Sequence, residues 1–200
     1  MIKNKTHSKV DIAAFQQEKD GNHHCGDSYM TLETDDYFLC ALADGLGSGE
    51  AAHQSSQKAM DAAAAYHHEN VPFILEKCNK ALMMERGVVL TVMKVNYKTK
   101  EVVYGNIGNI SSYFFTDKSK FFRPIPAPGY LSGRKFQYRL ESFPFREEMT
   151  FILHSDGVSF SNAEKQSILK APTPEEAIHQ LADKAGMNND DITILIGRIS

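Results

Sequence analysis

The chain has 200 residues, of which 42% are hydrophobic and 24% charged, with 22 basic against 25 acidic side chains and a net charge of -3. That length and balance fit one domain over residues 1–200 with a buried core and exclude a disordered chain. The lack of a basic excess argues against a nucleic-acid partner. No apolar run approaches the roughly 18 residues of a membrane span, and the opening MIKNKTHSKVD has no apolar stretch of the secretory kind. The three cysteines, Cys25, Cys40 and Cys78, are odd in number and widely spaced, so neither a zinc knuckle nor a disulfide framework is expected and a reduced, cytoplasmic protein is the simplest reading.

In chain order, residues 10–16 and 28–32 read as short strands, and YFLCALA at 37–43 as a strand buried on both faces. Alanine dominates residues 49–68, with Ala52, Ala59, Ala63 and Tyr66 at helical spacing. A second helix follows, with Pro72 at its first position and Ile74, Cys78 and Leu82 on one face. GVVLTVMKVN, EVVYGNI and ISSYFFT are β-branched strands; the first two are joined by a hairpin at YKTK, and a turn at GNIGN suggests a meander. KFQYRLESF alternates Phe136, Tyr138 and Leu140 on one face, and MTFILHS is another buried strand. Ser161 with Glu164 and Thr173 with Glu176 match capping boxes. The second of these helices starts at Pro174, carries Ile178, Leu181 and Ala185, and ends at Gly186. DITILIGRI closes the chain as a strand. The middle strands are joined too tightly for parallel crossovers, so the fold class is α+β, with antiparallel sheets and segregated helices.

Two segments match each other. YFLCALADG ends in Asp44-Gly45 and TFILHSDG ends in Asp156-Gly157. Gly26-Asp27-Ser28 precedes a strand, and Asn188-Asn189-Asp190-Asp191 stands before the last one. Carboxylates at strand ends can gather on one rim of a sheet, where they repel one another unless a cation intervenes. Oxygen ligands without His or Cys suit Mg²⁺ or Mn²⁺ better than zinc. A lone Asp-Gly is also an ordinary turn. LADGLGSGE, residues 42–50, could be a phosphate-cradling loop, but it lacks the Lys-Ser/Thr of a P-loop and the G-x-G-x-x-G spacing.

The series Gly26-Asp27-Ser28, Ala43-Asp44-Gly45-Leu46-Gly47-Ser48-Gly49, Ser155-Asp156-Gly157 and Asp190-Asp191-Ile192-Thr193 resembles the PPM family of metal-dependent Ser/Thr phosphatases, in its SpoIIE-type branch. The likeness covers nearly the whole chain, in order. It implies an αββα sandwich of two antiparallel sheets flanked by helices. It also implies two Mn²⁺ or Mg²⁺ ions, with Asp44 as the bridging ligand and the Gly45 carbonyl on one ion. Asp156 and Asp190 would complete the other ion, with Asp27 beside the first and Asp191 in support. Catalysis would run through Asp44 and Asp156 by way of a metal-activated water. Where many relatives have Gly-Asp-Ser, this chain has Gly108-Asn109-Ile110-Ser111, which puts Asn109 in place of an aspartate associated with a third metal. The phosphate-contacting arginine of some relatives has no counterpart before Gly26, leaving His23, His24 or Lys19 as polar contacts. The implied substrates are phosphorylated regulatory proteins, STAS-domain scaffolds of the stressosome type, dephosphorylated by a monomer that acts as a negative-feedback regulator of stress signalling.

Other residues invite plainer readings. His23-His24-Cys25 lacks metal-ligand spacing and reads as a loop, His154 as a core histidine, His67-His68 as a solvated helix end, and Met149 and the Met83-Met84 pair as core. Ser155 lacks the flanking glycines of a hydrolase nucleophile. RPIPAPGYLSG is a Pro- and Gly-rich loop that the resemblance places near the substrate entrance. Beside the enzyme stand a catalytically silent phosphoprotein-binding module of the same fold and a nucleotide binder using GLGSG.

Overall fold

The structure is a computed structural model and describes residues 1–117, 120–185 and 189–200. Its strands are β1 (Ile2–Thr6), β2 (Val10–Gln17), β3 (Asp27–Glu33), β4 (Tyr37–Gly45), β5 (Val88–Asn96), β6 (Glu101–Ile107), β7 (Ser111–Asp117), β8 (Lys120–Phe122), β9 (Arg139–Pro144), β10 (Thr150–His154) and β11 (Ile192–Ile199). The helices are α1 (Glu50–Ala65), α2 (Val71–Ala81), α3 (Asn162–Lys170) and α4 (Pro174–Ala185). One sheet runs β1-β2-β11-β10-β7-β8 and the other β3-β4-β5-β6-β9, with every neighbouring pair antiparallel.

The period of two along each central strand divides its side chains between two apolar layers. On β4, Phe38, Cys40 and Leu42 face the other sheet, while Leu39, Ala41 and Ala43 face α1 and α2. On β10 and β11, Phe151, Leu153 and Leu195 face inward, and Ile152, Ile194 and Ile196 pack under α3 and α4. The result is the expected αββα sandwich. The small side chains of α1 let it lie close to its sheet: Ala52, Ser55, Ser56, Ala59 and Ala63 are buried, and Ser56 Oγ meets Ser28 Oγ of β3 at 2.8 Å. Ser161 and Glu164 make the full capping box of α3. The Thr173 hydroxyl accepts from the Glu176 N–H at 3.2 Å. Gly186 and Asn188 lie outside the described residues, as does the side chain of Ala185.

Several expectations need correction. The Asn70 side chain accepts the Phe73 N–H and caps α2, so Pro72 takes the second helical position and not the first. The turn at residues 105–109 does not make a meander: β6 pairs with β5 and β9, whereas β7 pairs with β10 and β8 in the other sheet. The chain crosses between sheets there through Gly108, at φ 95°, where a Cβ would sit 2.1 Å from Val89 Cγ1. Phe136 and Tyr138 precede β9 and pack on the helix-side core, but Leu140 is exposed because β9 is an edge strand. Met149 is buried, yet Met83 and Met84 are 60% and 99% exposed. The strands β1 and β8 were not anticipated; both lie on sheet edges, β1 being largely polar and β8 only three residues long.

Candidate metal centre and active site

The inward-facing series of several strands change character at one end of the sandwich. On β4 the run Phe38, Cys40, Leu42 is followed by Asp44. On β10, Phe151 and Leu153 are followed by Ser155 just past the strand. Along β11, reading toward its start, Leu195 gives way to Thr193 and then to Asp191 before the strand. The periodicity that builds the core thus delivers a set of oxygen-bearing side chains to one rim.

Asp27 on β3 lies directly opposite Asp44 on β4 in the antiparallel register. Directly paired residues share a face with Cβ atoms about 5 Å apart. Two full charges at that separation repel by about 3 kcal/mol at an effective dielectric of about 20. Asp27 is 1% exposed, and no donor meets either of its carboxylate oxygens in hydrogen-bond geometry, although the Ser155 and Thr193 hydroxyls lie close by. Its burial pushes the carboxyl up to about 7; the Ser155 and Thr193 hydroxyls offset part of that, and Asp191 and Asp156 add to it. Asp44 is pushed up to about 8, first by burial and then by Asp27, Asp156, Asp191 and Asp190 in that order. Buried oxygens with no partner, surrounded by like charges, are the environment a bound cation would satisfy.

The surrounding chain holds these groups in place. Gln16 Nε2 donates to the Asp27 carbonyl at 3.0 Å, and the Thr193 N–H donates to Ser155 Oγ at 2.9 Å. Asp156 is exposed, and its Oδ2 accepts from Asn109 Nδ2 at 2.7 Å. Asp191 is 7% exposed and accepts the Lys19 N–H at 3.0 Å. Asp190 lies outward of it, accepting the Asp191 N–H at 2.9 Å, with Lys19 Nζ at 3.7 Å. Gly45 and Gly157 are both glycine because backbone crowds them. A Cβ on Gly45 would lie 2.1 Å from the Ala52 carbonyl oxygen, and one on Gly157 2.5 Å from that of Asp191. Gly47 and Gly49 take φ of 96° and 73° and turn the chain into α1, so the GLGSG glycines have a conformational reason of their own.

An open cleft of about 740 Å³ joins Asp44, Gly45, Asn109, Asp156, Asp190 and Asp191 to the wall formed by residues 126–130. Asp27 sits behind it, paired to Asp44. Among the described residues no three His, Cys, Asp or Glu side chains already close around a common point; the carboxylates ring a cleft. The structure therefore brings together Asp27, Asp44, Gly45, Asn109, Asp156, Asp190 and Asp191, although Asp190 and Asp191 differ sharply in burial. The histidines do not join them. His24 stacks on His53 at 5.2 Å, and His154 is a core residue whose burial lowers it to about 4. Sequence reasoning missed Arg123, the one cationic side chain lining the cleft among the described residues, whose guanidinium carbon lies 5.3 Å over the Tyr113 ring. Its only signal was its place at the head of the proline-rich loop.

A family model for stage II sporulation protein E, SpoIIE, matches residues 34–200. The chain is similar to the phosphoserine phosphatase RsbX of Bacillus subtilis (strain 168), with 30% identity over 200 residues covering both chains completely. The crystal structure of RsbX in complex with magnesium superposes with a TM-score of 0.92 at 31% identity, over 100% of both chains. A chain solved in work on the bacterial stressosome has the same fold, with a TM-score of 0.87 at 23% identity, covering 96% of this chain and 100% of that one. The rim of aspartates thus stands in a chain that belongs to the SpoIIE family.

Proposed function

We propose that this chain, acting as one domain, removes phosphate from phosphoserine or phosphothreonine on regulatory proteins and thereby resets a stress-signalling assembly. The observation that carries the reading is the directly opposed Asp27–Asp44 pair, with both Asp27 oxygens buried and unpartnered at the back of an open cleft. The chain is a protein-serine/threonine phosphatase that uses Mn²⁺ or Mg²⁺, and its relatedness along its full length to a phosphoserine phosphatase, RsbX, supports phosphoserine as the group removed; the substrates proposed are phosphorylated stressosome scaffolds of STAS-domain type. The reading includes a monomer and a negative-feedback role.

Asp27, Asp44, the Gly45 carbonyl, Asp156 and Asp190 would hold two ions. When bound, such a pair lowers the pKa of a coordinated water and neutralises phosphate charge. The protein's own part is to hold the ligands and position the phosphoryl group. Asn109 fixes one oxygen of Asp156, so that carboxylate does not swing into solvent. Gln16, Ser155 and Thr193 lock the backbone that carries Asp27 to the last strand. Arg123 supplies positive charge among the residues that line the cleft.

Purified protein should hydrolyse p-nitrophenyl phosphate with Mn²⁺ and lose that activity in EDTA. It should also release phosphate from a phosphorylated STAS-domain scaffold. Undiminished turnover in EDTA sinks the two-ion reading. Tight scaffold binding without turnover returns the reading to a silent binding module. Asp190→Asn and Asp191→Asn, each titrated with Mn²⁺ by calorimetry, separate ligand from support: loss of one ion in Asp190→Asn alone supports Asp190 as the ligand.

A further inference from the structure

Beside the cleft lies a ledge that the phosphatase chemistry does not use. Tyr130 is 48% exposed and lines the catalytic cleft together with two adjoining hollows, of about 460 and 400 Å³. Beyond it, these hollows are lined by Met83, Met84, Arg86, Arg134 and Lys135. The two methionines are 60% and 99% exposed. Met84 also holds φ at 72°, a conformation that costs a side chain with a Cβ about 1–2 kcal/mol. That backbone belongs to the turn that ends α2, where the Glu85 N–H donates to the Leu82 carbonyl at 3.1 Å, and it leaves an apolar side chain in water; strain of this kind recurs at functional surfaces.

The ledge is built on a fixed frame. Asn79 of α2 accepts the Ser132 and Gly133 N–H groups at 3.1 and 2.9 Å and donates to the Arg134 carbonyl at 2.9 Å. Val88 and Leu131 exchange backbone hydrogen bonds of 2.9 and 2.8 Å. A Cβ on Gly133 would lie 2.8 Å from Met83 Cα, so the two segments are pressed together. Among the described residues Arg86, Arg134 and Lys135 make no ion pair, while the neighbouring Glu85 is already engaged by Lys58. The Arg86 guanidinium lies against Gly47 of the cleft, 2.7 Å from where a Cβ on that glycine would be. Arg86 thus stands at the cleft's edge and shares one hollow with Arg134, which shares the other with Lys135.

We infer that this ledge docks an acidic polypeptide segment flanking the phosphorylated residue of the substrate protein. Tyr130 guides it out of the cleft, the three cations receive its carboxylates, and the methionine pair adapts to its apolar side chains. The inference rests on the proposed action on phosphoproteins, and it names the chemistry that would select among them. Uncompensated cations at a rim add on-rate and specificity, and their effect is screened by salt.

The test compares two phosphoserine peptides of equal length, one flanked by Asp and Glu and one by Lys, with p-nitrophenyl phosphate as a probe that has no flank. Wild-type protein with Mn²⁺ should favour the acidic peptide by about tenfold in kcat/KM, mostly through KM, with the preference shrinking as salt rises. The Arg134→Glu/Lys135→Glu variant should lose or reverse that preference while hydrolysing p-nitrophenyl phosphate as before, and a reversal cannot arise from misfolding. Met83→Ser/Met84→Ser should raise KM for the acidic peptide alone. Equal kcat/KM for both peptides with wild-type protein overturns the docking surface and leaves the phosphatase intact. Turnover of p-nitrophenyl phosphate without turnover of either peptide overturns the action on phosphoproteins, and the ledge with it.

Discussion

Asp44-Gly45 and Asp156-Gly157 are near-copies in sequence, each an apolar strand run ending in Asp-Gly. Their glycines do the same thing. Each is crowded by a backbone carbonyl that would collide with a Cβ, Gly45 by Ala52 and Gly157 by Asp191. Their aspartates do not. Asp44 is the continuation of the inward-facing row of β4, has Asp27 across from it, and is pushed up to about 8. Asp156 stands exposed past the end of β10, steadied by Asn109 from the chain that crosses between sheets. A shared motif thus fixes the backbone approach, while the register of the neighbouring strand decides how much electrostatic stress the carboxylate carries.

The largest break in that comparison should come from Asp44→Asn. It should reduce Mn²⁺-dependent p-nitrophenyl phosphate turnover by about a thousandfold or more, the upper end of what losing one charge-stabilising group costs. Asp156→Asn should cost less, about a hundredfold, because an exposed carboxylate can be partly replaced by water; equal losses would mean that burial does not set their weights. Asn109→Ala should weaken Mn²⁺ affinity by about tenfold with the fold intact, as removal of a group that orients a ligand does; titration followed by calorimetry reads it directly.

A smaller effect sharpens the electrostatics. Asp27 and Asp44 hold protons up to about 7 and 8 in the folded chain, whereas the unfolded chain gives them up near 4. The folded state then binds more protons in between, so stability falls as pH rises from about 4 to about 8. In EDTA, the melting temperature at pH 8.5 should lie below that at pH 5.5 by about 5 °C or more. Mn²⁺ should restore it most at the higher pH, and Asp27→Asn should flatten the dependence. A melting temperature that rises with pH in EDTA would overturn the assignment of these two carboxylates as the stressed pair.

Much of this was legible in the residues. Central strands announce themselves by their apolar runs, caps by Ser161 and Glu164, and the rim by aspartates that end those runs. Legibility failed where two arrangements share one local pattern. A strand that turns back to its neighbour and one that crosses to the other sheet look alike at residues 105–109, since what separates them is which strand pairs with β6, a non-local choice. Asp190 and Asp191 are identical letters, and only the inward series of β11 tells which is buried. Met83 and Met84 read as core because methionine is apolar; the left-handed backbone that exposes Met84 leaves no trace in composition. Arg123 heads a loop that is held by hydrogen bonds of Ala127 to Asn106 and Gly108 and of Leu131 to Val88, partners that no local pattern announces.

The close seat of α1 on Gly45 has a consequence for how such a protein can diversify. The floor of the cleft is made where backbone touches backbone, so a methyl group added at Gly45 would drive into Ala52 and tilt the strand that carries Asp44. The walls, in contrast, are exposed side chains on pinned loops, free to change their charge and size without disturbing that floor. Lineages built on this frame can therefore trade one client for another by rewriting the ledge, while the chemistry beneath is inherited unchanged.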